Sequence, residues 1–223
     1  MYGRSGSLGI LLGVLLFGSI FGLSEVALGD GLKATGFPYR SALLTGMGMG
    51  IMGAALALYR KPAIPFTIGL VGASVKLLAI PILGISIMCK ANSCLAVALE
   101  ASALSLVAFV LLRGMDRSIY IRMGAGALAA MLGAVGFFFI GMRVAPCNYL
   151  LSFQGNLSGF LGTEGSLWAA FSALLLPLGW WVGEKIKEKA PLFSERKPLY
   201  YFASTSIIFL SLGMSAWVIG LGF

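Results

Sequence analysis

The sequence predicts an all-α fold: a polytopic bundle of about seven transmembrane helices, forming one integral membrane domain over residues 1–223. Three observations carry this. Of the 223 residues, 59% are hydrophobic and 11% charged, with a mean hydropathy of +0.96, whereas a soluble domain carries about 25% charged residues to coat its surface. The apolar residues fall into seven runs of the length a helix needs to cross about 30 Å of hydrocarbon. Those runs are continuously apolar, where barrel strands would alternate with period two. A soluble enzyme, a nucleic-acid-binding domain and a disordered chain are thereby excluded. The net charge of +8 is read as membrane topology, and no nucleic-acid partner is expected.

The first run, Leu8–Leu28, exceeds the roughly 7–15 residues of a cleavable signal core and is read as a span. Its glycines repeat at four-residue spacing, Gly9 with Gly13 and Gly18 with Gly22. Such stripes let two helix backbones approach closely. Gly9 and Gly13 are candidates for docking another membrane subunit, with internal packing as the alternative. The second run, Ser41–Leu58, carries Gly46, Gly50 and Gly53. The third, Ile64–Met88, has Pro65 near its start and Pro81 near its end, and a turn at Lys90–Ser93 leads to the fourth, Leu95–Leu112. The fifth is Met123–Val144. The sixth, Leu167–Val182, is the shortest and is interrupted by Pro177; the seventh is Leu199–Leu221. Residues 146–165, between the fifth and sixth runs, are too polar to span. With Tyr149, Leu150, Phe153 and Phe160 they are read as an interfacial segment or a lid over the outer mouth.

Lysine and arginine set the orientation. With the N-terminus inside, eleven fall in inner segments, among them Arg60, Lys61, Arg113, Arg117, Arg122 and Lys185. Four fall outside: Lys33, Arg40, Lys90 and Arg143. This positive-inside bias places the N-terminus inside and the C-terminus outside. Aromatic residues follow the same layers. Tyr59, Tyr120, Trp180 and Trp181 lie at the inner interface, and Tyr39, Tyr149, Trp168 and Trp217 at the outer, facing lipid headgroups.

The chain has no histidine, which removes bis-histidine haem, most zinc and non-haem iron sites and the usual proton relay. No metal and no cofactor are expected, and no catalytic set is found. The three cysteines fall outside under this topology. Cys89 and Cys94 bracket the turn at residues 90–93, and a disulfide between them is predicted in an oxidising compartment. Cys147 is left unpaired or pairs with another chain.

The sharpest functional signal is charge within the bilayer, where each ionised group costs a few kcal/mol unless paired or hydrated. Glu25, Lys76 and Glu100 qualify. Because spans three and four are joined by a short turn, Glu100 is the nearest candidate partner for Lys76. The three residues are predicted to line one polar, substrate-binding site, with Glu25 at its outer rim; mutual neutralisation is the alternative.

The stretch from Arg40 through Thr45-Gly46-Met47-Gly48-Met49-Gly50 to Tyr59-Arg60-Lys61-Pro62, then Ile68–Leu78 around Lys76, then Ala98–Leu104 around Glu100, resembles the substrate-binding S components of energy-coupling factor (ECF) transporters. The resemblance covers about Gly9 to Arg113. It implies a small helical chain that captures substrate from outside and docks on a transmembrane T component and paired ATPases. Small residues of the first helix, here Gly9 and Gly13, would contact the T component. The family's usual six helices differ from the seven spans read here, and the histidine-rich N-terminus of its cobalt and nickel members is missing, so a metal cargo is not expected. Two functions are therefore weighed: a substrate-capture subunit of a multi-subunit importer for a small polar solute, in a prokaryotic inner membrane, or a non-catalytic integral subunit of a respiratory or electron-transfer complex.

Overall fold

A computed structural model of the chain describes residues 7–144, 146, 148–194 and 197–221, apart from the side chains of residues 7, 89, 148, 149, 189–194, 197 and 199. The described residues form helices and turns, with no strand among them, and seven helices are long and apolar enough to cross a membrane. The chain is a multi-pass integral membrane protein. In order, the elements are α1 (Ser7–Ala34), α2 (Arg40–Tyr59), α3 (Ile64–Leu77), α4 (Ala79–Leu83), α5 (Ile87–Met115) and α6 (Ile119–Val144). Then come the short α7 (Asn148–Leu151) and α8 (Leu157–Phe160), a π-helical turn (Leu161–Gly165), α9 (Ser166–Ser194) and α10 (Lys197–Gly220).

The helices break where local chemistry dictates. Pro81 offers no N–H to the carbonyl four residues earlier, at Leu77, which is where α3 ends. Gly84 then adopts a left-handed conformation (φ 63°), and Ser86 caps α5 by accepting a hydrogen bond from the Met88 N–H at 3.3 Å. The third span therefore stops at Leu83 rather than Met88, and Lys90–Ser93 lie within α5 rather than in a turn. Pro177 does not interrupt α9, and the sixth span, extended by residues 157–166 at one end and 183–188 at the other, is the longest, Leu157–Glu188, instead of the shortest.

This boundary removes the predicted disulfide. Cys89 and Cys94 share one helix, where a five-residue separation rises about 7.5 Å and turns the side chains to different faces. Disulfide Cα atoms lie within about 7 Å. The Cys94 thiol is free and donates to the Ala73 carbonyl at 3.6 Å; the side chain of Cys89, and Cys147, lie outside the described residues. After denaturation in the absence of reductant, Cys94 is expected to be alkylated by a maleimide, as peptide mass spectrometry would show; protection removed only by reductant would restore the disulfide.

Packing follows the small residues. α2 is the most buried span, with 61% of its most apolar window buried against 22% for α10. It crosses α9 on a seam of glycines: Gly46 meets Phe171 and Leu175, Gly53 meets the Leu176 carbonyl, and Gly179 and Gly183 lie against the backbone of Gly50 and Ala54. Phe21, fully buried, fills a cradle between Gly48 and Gly72. The glycine stripe of α1 is consumed internally: Gly13 lies under the Tyr59 ring, Gly18 against Val71 and Gly22 against Val75. The expectation that Gly13 docks another subunit is thus corrected, because its face is already covered by α2. Gly9, one turn nearer the N-terminus, is half-buried. α10 packs against α1 and α4 through a small-residue stripe of buried Ser204, Ser211 and Ser215.

At one end of the bundle a charged cluster ties four helices. Arg60 follows α2 in a left-handed conformation (φ 54°) that glycine usually supplies. Its guanidinium pairs with Asp116 and lies 3.6 Å from Glu184; Arg122 lies 3.7 Å from the same carboxylate. Both guanidiniums sit over the Trp180 ring, 4.7 and 5.0 Å from its centroid, while the indole N–H donates to Glu184 at 3.0 Å. Burial pulls the Arg60 pKa down and Glu184 pulls it back up.

Candidate functional site: a charged cavity at the other end

The opposite end, which the lysine and arginine bias assigns to the outside, contains a cavity of about 700 Å³. Every long helix contributes to it. α1 supplies Glu25, Asp30 and Lys33; α2 supplies Arg40, Ser41 and Thr45; α3 supplies Lys76, and α5 supplies Lys90 and Glu100. Phe137 of α6, Glu164 of the π turn, Trp168 of α9 and Ile219 of α10 complete the wall.

The three charges predicted from the sequence all line this cavity, but they pair differently. Lys76 Nζ donates to Glu25 Oε2 at 2.5 Å, with side chains only 11% and 5% exposed. The predicted Lys76–Glu100 pair is therefore replaced by Lys76–Glu25. The α1 glycines explain this: contacts of Gly18 with Val71 and Gly22 with Val75 bring α1 onto α3 in the register that sets Glu25 beside Lys76. Glu25 is also 6% exposed, which places it deep in the cavity and not at its rim.

Glu100, 4% exposed, receives one hydrogen bond, from Thr45 Oγ1 to its Oε1 at 2.8 Å. Among the described residues no cation lies within ion-pairing distance of it. Gly133 of α6 faces its backbone, and a side chain there would meet Glu100 Cα at 3.3 Å. Glycine at 133 thus lets α5 and α6 close around this carboxylate.

Two polar contributors were not singled out in the sequence. Thr45 looked like one small residue in an apolar run, and only the crossing of α2 with α5 turns it toward Glu100. Glu164 sits in the π turn, where Ser41 Oγ donates to its Oε2 at 2.7 Å, linking the start of α2 to the start of the sixth span. π turns are rare and recur at functional sites. The segment expected to be interfacial or a lid is largely exposed or half-buried and is anchored by two apolar side chains. Leu150 and Phe160 are fully buried, and Phe160 stacks against Phe138, Phe153 and Trp168 with ring centroids 5.4 to 6.2 Å apart. Of the outer aromatics, Trp168 reaches the cavity; Tyr39 is exposed and pairs edge-on with Phe37, and the Tyr149 side chain lies outside the described residues.

The arrangement suits binding of a solute. It has a buried polar floor (Glu25, Lys76, Glu100 and Thr45), aromatic surfaces beside it (Phe137 and Trp168), and a more exposed charged rim. No protein-family model matches this chain, and neither a curated protein nor a solved structure matches it.

Proposed function

We propose that this chain is a substrate-capture subunit of a multi-subunit importer, taking a small polar solute into the cavity bounded by Glu25, Lys76 and Glu100. The observation that carries this reading is the cavity itself. Burying ionisable groups at membrane depth is expensive, and here three of them converge on one space of about 700 Å³, within the usual range of small-molecule sites. A protein that used these charges only to hold helices together would gain nothing from leaving a cavity beside them. The ECF resemblance supports the same reading and supplies the remaining parts: a transmembrane coupling subunit, paired ATPases and a prokaryotic inner membrane. With Gly13 covered by Tyr59, docking on α1 falls to its exposed flank, Leu8, Leu11 and Leu15.

One observation favours the second reading, a non-catalytic subunit of a respiratory or electron-transfer complex. The Glu25–Lys76 pair is mutually satisfied and serves helix pairing without any ligand. Purification of the tagged protein at native expression in a mild detergent separates the two. Co-isolated ATPases with a membrane coupling subunit are the expected result, and co-isolated redox subunits would replace this proposal with the second.

A further inference from the structure

The charges around the cavity are not randomly distributed with depth. The buried floor holds Glu25, Lys76 and Glu100, two carboxyl groups to one ammonium. The half-buried to exposed rim holds Lys33, Arg40 and Lys90 against Asp30 and Glu164, one positive charge in excess. Partnering sharpens this difference. On the floor, Lys76 is engaged by Glu25, which leaves Glu100 as the uncompensated carboxylate; its Oε2 has no hydrogen-bond donor among the described residues. On the rim, Glu164 is engaged by Ser41, whereas Lys33, Arg40 and Lys90 form no ion pair among the described residues.

Helix ends deepen the polarity. Arg40 opens α2, whose N-terminus has no side-chain cap, and Lys90 lies in the first turn of α5. Cations are normally disfavoured in a first helical turn, where the backbone N–H groups already carry partial positive charge, at α2 without a side-chain cap and at α5 with Ser86 on the Met88 N–H. Two helix N-termini that carry lysine and arginine therefore concentrate positive potential on the rim, which an anionic group would relieve. Below, the cavity that holds the Glu100 carboxylate is also lined by Phe137 and Trp168, and the combination fits an organic ammonium, which gains from the anion and from aromatic faces together.

From this polarity, and resting on the capture reading above, we propose that the solute is a small zwitterion, held with its ammonium on Glu100 and its anionic group toward Arg40, Lys33 and Lys90. Along α5, Glu100 lies about 15 Å beyond Lys90 by helical rise. The two charges of the ligand therefore stand at opposite ends of its body and not on adjacent atoms.

A matched set of probes tests this on the purified full chain in detergent by titration calorimetry. 4-(Aminomethyl)benzoate carries both charges at opposite ends of a rigid ring. 4-Methylbenzylamine keeps only the cation, 4-methylbenzoate only the anion, and 4-methylbenzyl alcohol neither. The zwitterion is expected to bind at least tenfold more tightly than any of the other three. Glu100→Gln, which can still accept from Thr45, should weaken the zwitterion and the amine at least tenfold and leave the benzoate unchanged. Arg40→Gln with Lys90→Gln should do the reverse, weakening the zwitterion and the benzoate. The order of the four probes is read on the unaltered protein, so it stands whether or not a variant folds. A preference for the alcohol or the lone anion would overturn the zwitterion and leave solute capture intact. Binding of the lone amine as tightly as the zwitterion, or of none of the four, would likewise overturn the zwitterion, while the co-isolated partners decide solute capture separately.

Discussion

Replacing Lys76 with Met while Glu25 remains is expected to destabilise the bundle by about 3–5 kcal/mol, the usual cost of stranding one member of a buried ion pair. Glu25→Gln alone should cost a similar amount. The two substitutions together should recover most of the loss, because two neutral side chains of similar volume leave nothing uncompensated. Unfolding of the unaltered protein, both single variants and the double variant in mixed detergent micelles gives the coupling directly. A further variant checks the pairing itself. Since Thr45, not Lys76, is bonded to Glu100, adding Glu100→Gln to Lys76→Met should rescue nothing. Rescue by Glu100→Gln in place of Glu25→Gln would show that α1 and α3 are wrongly registered.

The second large effect is expected at the α2–α9 crossing. A Cβ built on Gly179 falls on the Gly50 carbonyl, so the obstacle is backbone and not a side chain that can rotate away. Gly179→Ala is expected to cost about 1–3 kcal/mol as overpacking, and Gly179→Leu to abolish the monodisperse folded species in size-exclusion chromatography. Gly213→Ala on α10, where a methyl group meets nothing within 4 Å, is the control. It should be neutral or stabilising, by up to about 1 kcal/mol, from the gain in helix propensity. Equal losses at both positions would mean that glycine in this chain serves the backbone generally and not this crossing.

The spans were legible because lipid imposes a crude rule: long apolar runs, charges at the ends. What defeated the reading was local or long-range. The third span was drawn to Met88 because Ile85, Ile87 and Met88 are apolar, although Gly84 and Ser86 already spelled a helix stop and a cap. The sixth reads short because a polar connector precedes it and charges follow it, whereas the helical span continues into both, to Leu157 and Glu188. The three buried charges were found at once, since an ionised residue inside an apolar run needs no context to be conspicuous. Their pairing was not found, because chain adjacency favoured α5 as the neighbour of Lys76. The information lies instead in Gly18 and Gly22, whose spacing marks a close helix contact but does not say that the partner is α3. Glu164 was hidden because it falls in a polar connector, and a π turn has no signature in composition.

The seam and the charged cluster also set the mechanics of the molecule. α2 and α9 touch backbone to backbone at Gly50 and Gly179, and at the end away from the cavity Arg60, Glu184 and Trp180 bind them again. Two fastenings along one pair of helices make that side of the cavity a stiff beam. Across from it, α3 ends at Leu77, α4 lasts five residues, and Gly84 swivels the chain into α5. The cavity wall is thus continuous, doubly fastened helix on one flank and broken helix on the other, with the break in the segment that immediately follows Lys76.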